Sequence, residues 1–126
     1  NNYAMYHADI ELKKFRELKL ISDMRTGLAA GEFTVHYQAK QNLETDELVG
    51  CEALIRWQHP LLGNIPPLEF ISVAERSGLI IPLGKFVLEQ SCSFLKKWQV
   101  HSDNPLIVSV NVSALQLKTP LSKKKY

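Results

Sequence analysis

Hydrophobic residues recur at intervals of three or four positions along the first part of the chain, beginning after Asp9. This spacing is typical of an α-helix with one hydrophobic side, and lysines and arginines fill the positions between. Gly31 is suited to end the helix because glycine readily adopts the left-handed backbone conformation found after many helices. We therefore predict a long amphipathic helix whose hydrophobic side carries Phe15, Leu18, Ile21, Met24 and Leu28.

The next stretch, "EFTVHYQAK", alternates hydrophobic and polar residues with the period of two that is typical of a β-strand. A second strand is predicted over Leu48–Trp57. Between them, Thr45 and Asp46 suit a tight reversal, since aspartate tolerates the left-handed region better than most residues. We therefore predict that the two strands form an antiparallel hairpin.

The two faces of the second strand differ in composition. One face carries only hydrophobic residues, whereas the other mixes hydrophobic, small and charged residues, including Glu52 and Arg56. The strand is therefore expected to be buried on both sides, in two different environments. The hydrophobic set is Val49, Cys51, Ala53, Ile55 and Trp57, and the mixed set is Leu48, Gly50, Glu52, Leu54 and Arg56.

Two helices and a third strand are predicted further along. The stretch "IPPLEFISVAERSG" indicates a helix with Pro67 near its first turn and Gly78 at its end, and a second helix is expected over about Leu83–Trp98. The stretch "NPLIVSVNVSA" then alternates valines with Ser109 and Asn111. Helices that separate strands indicate a parallel α/β sheet, and in a (β/α)8 barrel the C-terminal strand ends form the active site.

Composition indicates an ordinary globular domain. The chain has 126 residues, of which 45% are hydrophobic and 22% charged. A net charge of +2 is too small to indicate nucleic acid as a partner. No run of residues is apolar enough for a membrane segment, and "NNYAMYHADI" does not have the pattern of a signal peptide, so we expect a cytoplasmic protein.

The cysteines and histidines give no indication of a metal site. Cys51 and Cys92 are not in a CxxC spacing, and we expect both to be small buried side chains. The four histidines, His7, His36, His59 and His101, are scattered along the chain.

The mixed face of the second strand carries the candidate chemistry. Glu52 and Arg56 lie roughly 13 Å apart on it, at about 3.3 Å per residue. Glu52 and Asn111 offer oxygen ligands of the kind that Mg²⁺ or Mn²⁺ prefers, although Glu52 could instead pair with a lysine or arginine or reach solvent. Arg56 could bind a phosphate or a structural carboxylate, and Gln38 could contact a nucleotide or be an ordinary surface residue.

Three stretches together resemble the EAL domain family, which is named for a tripeptide present here as Glu52, Ala53 and Leu54. "FTVHYQAK" resembles the family's first strand, "LVGCEALIRWQHPLLGNIPPLEFISVAERSGLIIPLG" its signature strand, loop and helix, and "VSVNVSALQL" its third strand. The resemblance implies class α/β: a partial (β/α)8 TIM-type barrel with an antiparallel first strand, comprising about the first three strands and their helices. It also implies hydrolysis of cyclic di-GMP to pGpG with two Mg²⁺ or Mn²⁺ ions.

The resemblance assigns roles to four residues. Glu52 matches the metal-binding glutamate and is therefore implied to be catalytic, and Asn111 matches the asparagine that ligates the same ion. Arg56 matches the arginine that contacts a substrate phosphate, and Gln38 matches the glutamine near the bound nucleotide. For the complete protein, the resemblance further implies a homodimer.

The chain departs from the family pattern chiefly in length. Ala39 and Asp46 stand where the family usually has proline and glycine, which looks tolerable. A barrel of this kind takes about 250 residues, so we expect only its N-terminal half, without the later glutamates, paired aspartates and lysine of the active site. This chain alone is therefore expected to be inactive. The alternatives are a non-catalytic cyclic di-GMP receptor or protein-interaction module, or a remnant of a disrupted gene.

The sequence suggests three segments. Residues 1–20 are expected to form a linker helix, in which "YAMYHAD" resembles the last helix of GGDEF domains, although a plain amphipathic linker would look similar. Residues 21–118 form the predicted half of the EAL domain, and 119–126 a basic tail. A GGDEF domain in the same polypeptide is thus an expected partner.

Overall fold

A computed structural model describes residues 2–102 and 105–110, with side chains from residue 8 onward. The first element, α1, spans Asn2–Ala30 and is followed by Gly31 at φ 79°, which confirms the predicted end of this helix. Its hydrophobic side is only partly as predicted: Met24 is fully buried, whereas Phe15 and Leu18 are exposed. Steps of three residues drift around an α-helix by about 60° each, and the predicted run therefore leaves the side that packs.

The predicted hairpin is present. β1 (Phe33–Gln41) pairs antiparallel with β2 (Leu48–His59), in a register that joins Phe33 to Trp57 and Gln38 to Glu52. In the connecting turn the side chain of Asn42 accepts the backbone N–H of Glu44 at 2.9 Å. Asp46 has φ 61°, which confirms the left-handed conformation expected there.

A short strand and two helices follow. β3 (Gly63–Ile65) pairs antiparallel with the end of β2. No strand is predicted here from the sequence, because three residues are too few to show a period. α2 spans Pro67–Ser77 and ends at Gly78 with φ 82°, as predicted. α3 spans Ile80–His101 and is three residues longer at each end than predicted.

The last described strand, β4 (Val108–Val110), runs parallel to β2 on the edge opposite β1. The backbone N–H of Cys51 donates to the carbonyl of Ile107 at 2.9 Å. Gly50 allows this approach, since a Cβ atom there would lie 2.6 Å from the same carbonyl oxygen. An antiparallel first strand beside a parallel pair is the sheet that the sequence predicted.

The helices pack on one face of this sheet. Trp57 is at the centre of the core, with its ring centroid 4.9 Å from that of Phe33 and 5.7 Å from that of Phe70. Its indole N–H donates to Glu32 Oε1 at 3.0 Å, so its polar atom is satisfied inside the core. The remaining core side chains come from α1, α2, α3 and the helix-facing side of the strands.

The two cysteines differ in exposure. Cys51 is buried as predicted, but Cys92 is exposed on α3, so the prediction is wrong for Cys92. Within the described part of the chain, no helix is both long and apolar enough to cross a membrane.

Candidate active site on the open face of the sheet

The face of β2 that points away from the helices carries the candidate site. Glu52, Leu54 and Arg56 alternate with buried residues and are themselves half-buried. The strand places them there because successive side chains point to opposite sides of the sheet. The sequence prediction that Glu52 and Arg56 share a face is therefore confirmed.

The strand register brings Gln38 beside Glu52. The two residues lie directly opposite each other in the β1–β2 ladder, and Arg56 is opposite Thr34. Residues that are directly opposite share a face and have Cβ atoms about 5 Å apart. The sequence placed both residues on strands of a hairpin but could not give this register.

Ser109 completes a row of three polar side chains across the sheet. It is the neighbour of Glu52 in the parallel ladder between β2 and β4, and it is exposed. Sequence reasoning did not single it out, although its alternation with the valines of the third strand was the available signal. The predicted metal ligand Asn111 lies outside the described residues.

The interactions of these side chains distinguish them from structural pairs. Among the residues that the structure describes, neither the Glu52 carboxylate nor the Gln38 amide has a hydrogen-bond or ion-pair partner. Arg56 Nη1 donates to the backbone carbonyl of Ile55 at 2.9 Å, which leaves other donors of its guanidinium available. An ion pair between Glu52 and a lysine or arginine is therefore not found among the described residues.

A half-buried carboxylate with no ion-pair partner among the described residues fits a cation, but alone it is an incomplete metal site. No group of three or more His, Cys, Asp and Glu side chains that could hold a metal ion occurs within residues 8–102 and 105–110. Glu52 is thus the carboxylate that this part of the chain would contribute, and Mg²⁺ or Mn²⁺ would need further oxygen ligands from elsewhere.

Tyr37 fixes the strand that carries Gln38. Its ring stacks on Phe94 of α3, with centroids 3.9 Å apart and planes inclined by 12°. Burial raises the pKa of the Tyr37 phenol, so it stays neutral at physiological pH. Gln38 is the next residue and points to the open face, as the alternation of the strand requires.

A buried histidine holds the end of β2 that lies beyond Arg56. His59 Nδ1 accepts the backbone N–H groups of Leu61 and Leu62, each at 3.0 Å, and Nε2 lies 2.7 Å from Asp23 Oδ2 on α1. An Nδ1 that accepts two hydrogen bonds carries no proton, so Nε2 carries it and donates to Asp23. His59 thus fastens the turn after β2 to α1.

This bond and a nearby lysine affect Asp23. The hydrogen bond from His59 lowers the pKa of the Asp23 carboxyl, and Lys19 Nζ, 3.4 Å away, acts in the same direction. Sequence reasoning missed the pair because its members are 36 positions apart.

Comparison with known proteins identifies the fold and the family. The family description "EAL domain" matches residues 21–123, which is most of the chain. The chain therefore belongs to the EAL domain family.

Several curated relatives contain this region within longer chains. The chain is 46% identical over 102 residues to an uncharacterized protein of Mycobacterium tuberculosis, covering 80% of this chain and 33% of that protein. It is 40% identical over 115 residues to the cyclic di-GMP phosphodiesterase PdeR of Escherichia coli, covering 91% of this chain and 17% of PdeR. It is 34% identical over 116 residues to the bifunctional diguanylate cyclase/cyclic di-GMP phosphodiesterase MucR of Pseudomonas aeruginosa, covering 92% and 17%.

Solved EAL structures share the fold. The phosphodiesterase of MucR in complex with c-di-GMP matches with a TM-score of 0.75 and 35% identity, covering 83% of this chain and 43% of that one. The EAL enzyme Bd1971 matches with a TM-score of 0.63 and 26% identity, covering 98% and 40%. The described strands and helices thus correspond to part of a (β/α)8 barrel domain.

Proposed function

We propose that this chain contributes the N-terminal half of the active site of a cyclic di-GMP phosphodiesterase. In this proposal Glu52 and Asn111 ligate one metal ion, and Gln38 and Arg56 contact the nucleotide. The observation that carries it is the strand register, which places Gln38 directly opposite Glu52 on the open face. The Glu52 carboxylate has no hydrogen-bond or ion-pair partner among the described residues. A carboxylate that stabilises nothing in the described domain is better explained by a ligand than by folding.

The proposed residues divide the chemistry between metal and substrate. Glu52 would hold an Mg²⁺ or Mn²⁺ ion, which when bound lowers the pKa of a water molecule and neutralises phosphoryl oxygens. Arg56 would bind a phosphate of the substrate through the guanidinium donors that Ile55 does not use. Gln38, exposed beside Glu52, would orient the nucleotide by hydrogen bonds.

A chimaera tests these roles directly. Residues 21–118 would replace the matching segment of PdeR, so that the remaining half of the domain supplies the other ligands. The chimaera should hydrolyse cyclic di-GMP to pGpG with Mn²⁺, and Glu52→Gln should lower the rate more than about 100-fold, since even outer-shell metal partners are worth about 10–100-fold. Glu44→Gln, which removes an exposed carboxylate in the β1–β2 turn, is the matched control.

The outcome against the proposal is equally specific. If Glu52→Gln and Glu44→Gln reduce hydrolysis by the same small factor, Glu52 is not a metal ligand. The chain by itself is proposed to be inactive, because it spans 43% of the MucR phosphodiesterase structure that it matches. Production of pGpG by the isolated chain with Mn²⁺, lost in Glu52→Ala, would contradict that part.

A second candidate function is a cyclic di-GMP receptor without catalysis. It is favoured by the contrast between two proposed substrate contacts, Gln38 and Arg56, and a single proposed metal carboxylate in the described part. Calorimetry with cyclic di-GMP in the presence of EDTA separates the two functions. A receptor should bind without metal, and binding should fall at least tenfold in Arg56→Ala.

The domain organisation is also a proposal. We propose that residues 1–20 form a linker helix that includes the tail of a GGDEF domain of the same polypeptide, that residues 21–118 form the half of the EAL domain, and that 119–126 form a basic tail. The family match itself extends to residue 123. The proposed compartment is the cytoplasm. Limited proteolysis tests the division, since a stable fragment beginning before residue 21 would place the boundary earlier.

A further inference from the structure

His36 lies on the open face of the sheet, in the same row of β1 as Gln38. Residues 34, 36 and 38 follow one another at steps of two along the strand, so their side chains point to the same face, and all three are exposed. Among the residues that the structure describes, the His36 imidazole has no hydrogen bond and no ion pair. A neutral imidazole in this setting can donate one hydrogen bond and accept another.

A second histidine of the same hairpin shows what a structural role requires. His59, on the helix-facing side of β2, is buried, and its Nδ1 accepts the N–H groups of Leu61 and Leu62. Its Nε2 lies 2.7 Å from Asp23 Oδ2. His36 has none of these features in the described part of the chain, so a role in folding this part does not account for it.

The strand register places His36 midway between the two charged residues of the proposed site. It is directly opposite Leu54, which stands between Glu52 and Arg56 on the open face of β2. His36 is thus the diagonal neighbour of both Glu52 and Arg56, and Cβ atoms in diagonal pairs lie about 7–8 Å apart. A long or aromatic side chain can bridge that distance, so His36 can reach a ligand that either residue holds.

A ligand that contacts both charged residues must cross the row of His36 and Leu54. Glu52 and Arg56 are roughly 13 Å apart along β2, at about 3.3 Å per residue. If a metal ion at Glu52 and a phosphate at Arg56 belong to one bound nucleotide, its sugar–phosphate chain joins them and passes over this row. Leu54 offers that chain only an apolar surface, whereas His36 offers a hydrogen bond.

The barrel fold turns this row towards a shared interior. The described strands correspond to part of a (β/α)8 barrel, in which the helices lie outside and the strands close around their other face. β2 runs from Glu52 towards Arg56, so Arg56 is nearer to the C-terminal end of the strand, where barrel active sites open. His36 therefore lies level with the space between the proposed metal and the opening.

We propose that His36 is a substrate-binding residue that donates a hydrogen bond to the sugar–phosphate ring of a cyclic dinucleotide, between its metal-bound end and its Arg56-bound end. The inference rests on the proposed function, since it places His36 beside the same nucleotide. A hydrogen bond away from the phosphate under attack is made equally before and during the reaction. It should therefore lower KM and leave kcat nearly unchanged.

Kinetics of the chimaera with PdeR test this hydrogen bond. His36→Phe keeps a planar ring but removes both ring nitrogens, and it should raise KM for cyclic di-GMP about three- to tenfold while kcat changes less than about twofold. His36→Gln keeps a donor and an acceptor and should restore most of the affinity. His101→Phe makes the same change at an exposed position on α3 and should leave both constants unchanged.

Proton–carbon NMR of the histidine rings tests the contact directly. The ring signals of His36 are assigned by their absence in His36→Gln. They should shift when cyclic di-GMP is added at millimolar concentration to the chimaera in EDTA, where no metal-dependent hydrolysis occurs. The ring signals of His101 should stay in place.

Four results would overturn the inference. If His36→Phe raises KM no more than His101→Phe while Glu52→Gln still abolishes hydrolysis, the proposed function stands and His36 takes no part in it. If Phe at this position keeps the affinity and Gln loses it, the ring stacks on a base and donates no hydrogen bond. If both variants lower the urea midpoint and the NMR shift is absent, His36 only packs inside the barrel. If Glu52→Gln leaves hydrolysis unchanged, the proposed function fails and the assignment of His36 fails with it.

Discussion

On one face of β2, every second side chain from Cys51 to His59 is buried against helices or the core; on the other, Glu52, Leu54 and Arg56 are only half-buried. The buried face contains aromatic stacking and a satisfied indole N–H. The open face contains a carboxylate and an amide that lack partners among the described residues. Adjacent residues of one strand thus differ in what they contribute: one face stabilises the domain, and the other is available for ligands.

The difference explains how a strand with charges in its middle folds. The hydrophobic face suffices to anchor β2, so the opposite face need not contribute to stability. Substitutions should therefore separate into two groups, those that unfold the domain and those that affect only the proposed site.

Removing the indole of Trp57 should destabilise the domain far more than a change on the open face of β2. Trp57→Ala should lower the free energy of unfolding by about 3–5 kcal/mol, because it leaves a cavity against Phe33 and Phe70 and leaves Glu32 without its donor. Urea denaturation measures the change. Arg56→Ala, the neighbour on the open face, is the control and should cost less than about 1 kcal/mol. Equal losses in the two variants would remove the distinction between the faces.

Gly50 should be the one position on the open face where a substitution destabilises the domain, because its lack of a side chain lets β2 approach the chain next to β4. Gly50→Ala should cost about 1–3 kcal/mol, since the added methyl group would lie 2.6 Å from the backbone carbonyl of Ile107. The Cys51 N–H donates a hydrogen bond to that carbonyl, so in the variant this amide should lose protection from hydrogen exchange. Protection of the β1–β2 amides should persist. If the Cys51 amide stays protected, β4 tolerates the methyl group and its position does not depend on Gly50.

The hydrogen bond between His59 and Asp23 should make the free energy of unfolding depend on pH in the acid range. Because the pKa of Asp23 is lowered in the folded state, its contribution to stability is present above its unfolded pKa of about 3.9 and is lost as pH falls through the lower folded value. Asp23→Asn should lower the free energy of unfolding by about 1–2 kcal/mol at pH 7. The variant should also lose less stability than the original chain as the pH falls below 4. Urea denaturation between pH 3 and pH 7 measures both.

The matched comparison is Glu69→Gln. The hydrogen bond from Arg16 also lowers the pKa of Glu69, but both side chains are partly exposed, so solvent screens the pair and it should contribute little to stability. If the free energy of unfolding falls with acid equally in Asp23→Asn and in the original chain, other carboxylates control the acid dependence.

Local patterns predicted the open face, but long-range contacts could not be predicted. The alternation in β2 was enough to place Glu52 and Arg56 together, because a period of two is a local property. The opposition of Gln38 and Glu52 depends on hairpin register, and the bond between Asp23 and His59 joins residues 36 positions apart. Neither is encoded in a short window of sequence.

The prediction for α1 was wrong for a different reason. Phe15 and Leu18 belong to the same hydrophobic repeat as Met24, but ion pairs to α2 and the start of the core at Leu20 determine which residues are covered. A single sequence shows which residues are hydrophobic, but not which neighbour covers them. The same limit applies to β3, whose three residues become a strand only because the end of β2 is beside them.

The smallest stability effect is expected at Glu52. Glu52→Gln should change the free energy of unfolding by less than about 0.5 kcal/mol without metal, because the carboxylate has no partner among the described residues and the amide has nearly the same size. In the PdeR chimaera the same change should remove most of the Mn²⁺-dependent hydrolysis. A residue whose replacement leaves folding unchanged but removes activity is one that is retained for a ligand. A loss above 2 kcal/mol in the metal-free chain would instead mean that Glu52 stabilises the fold, and the open face of β2 would then resemble the buried one.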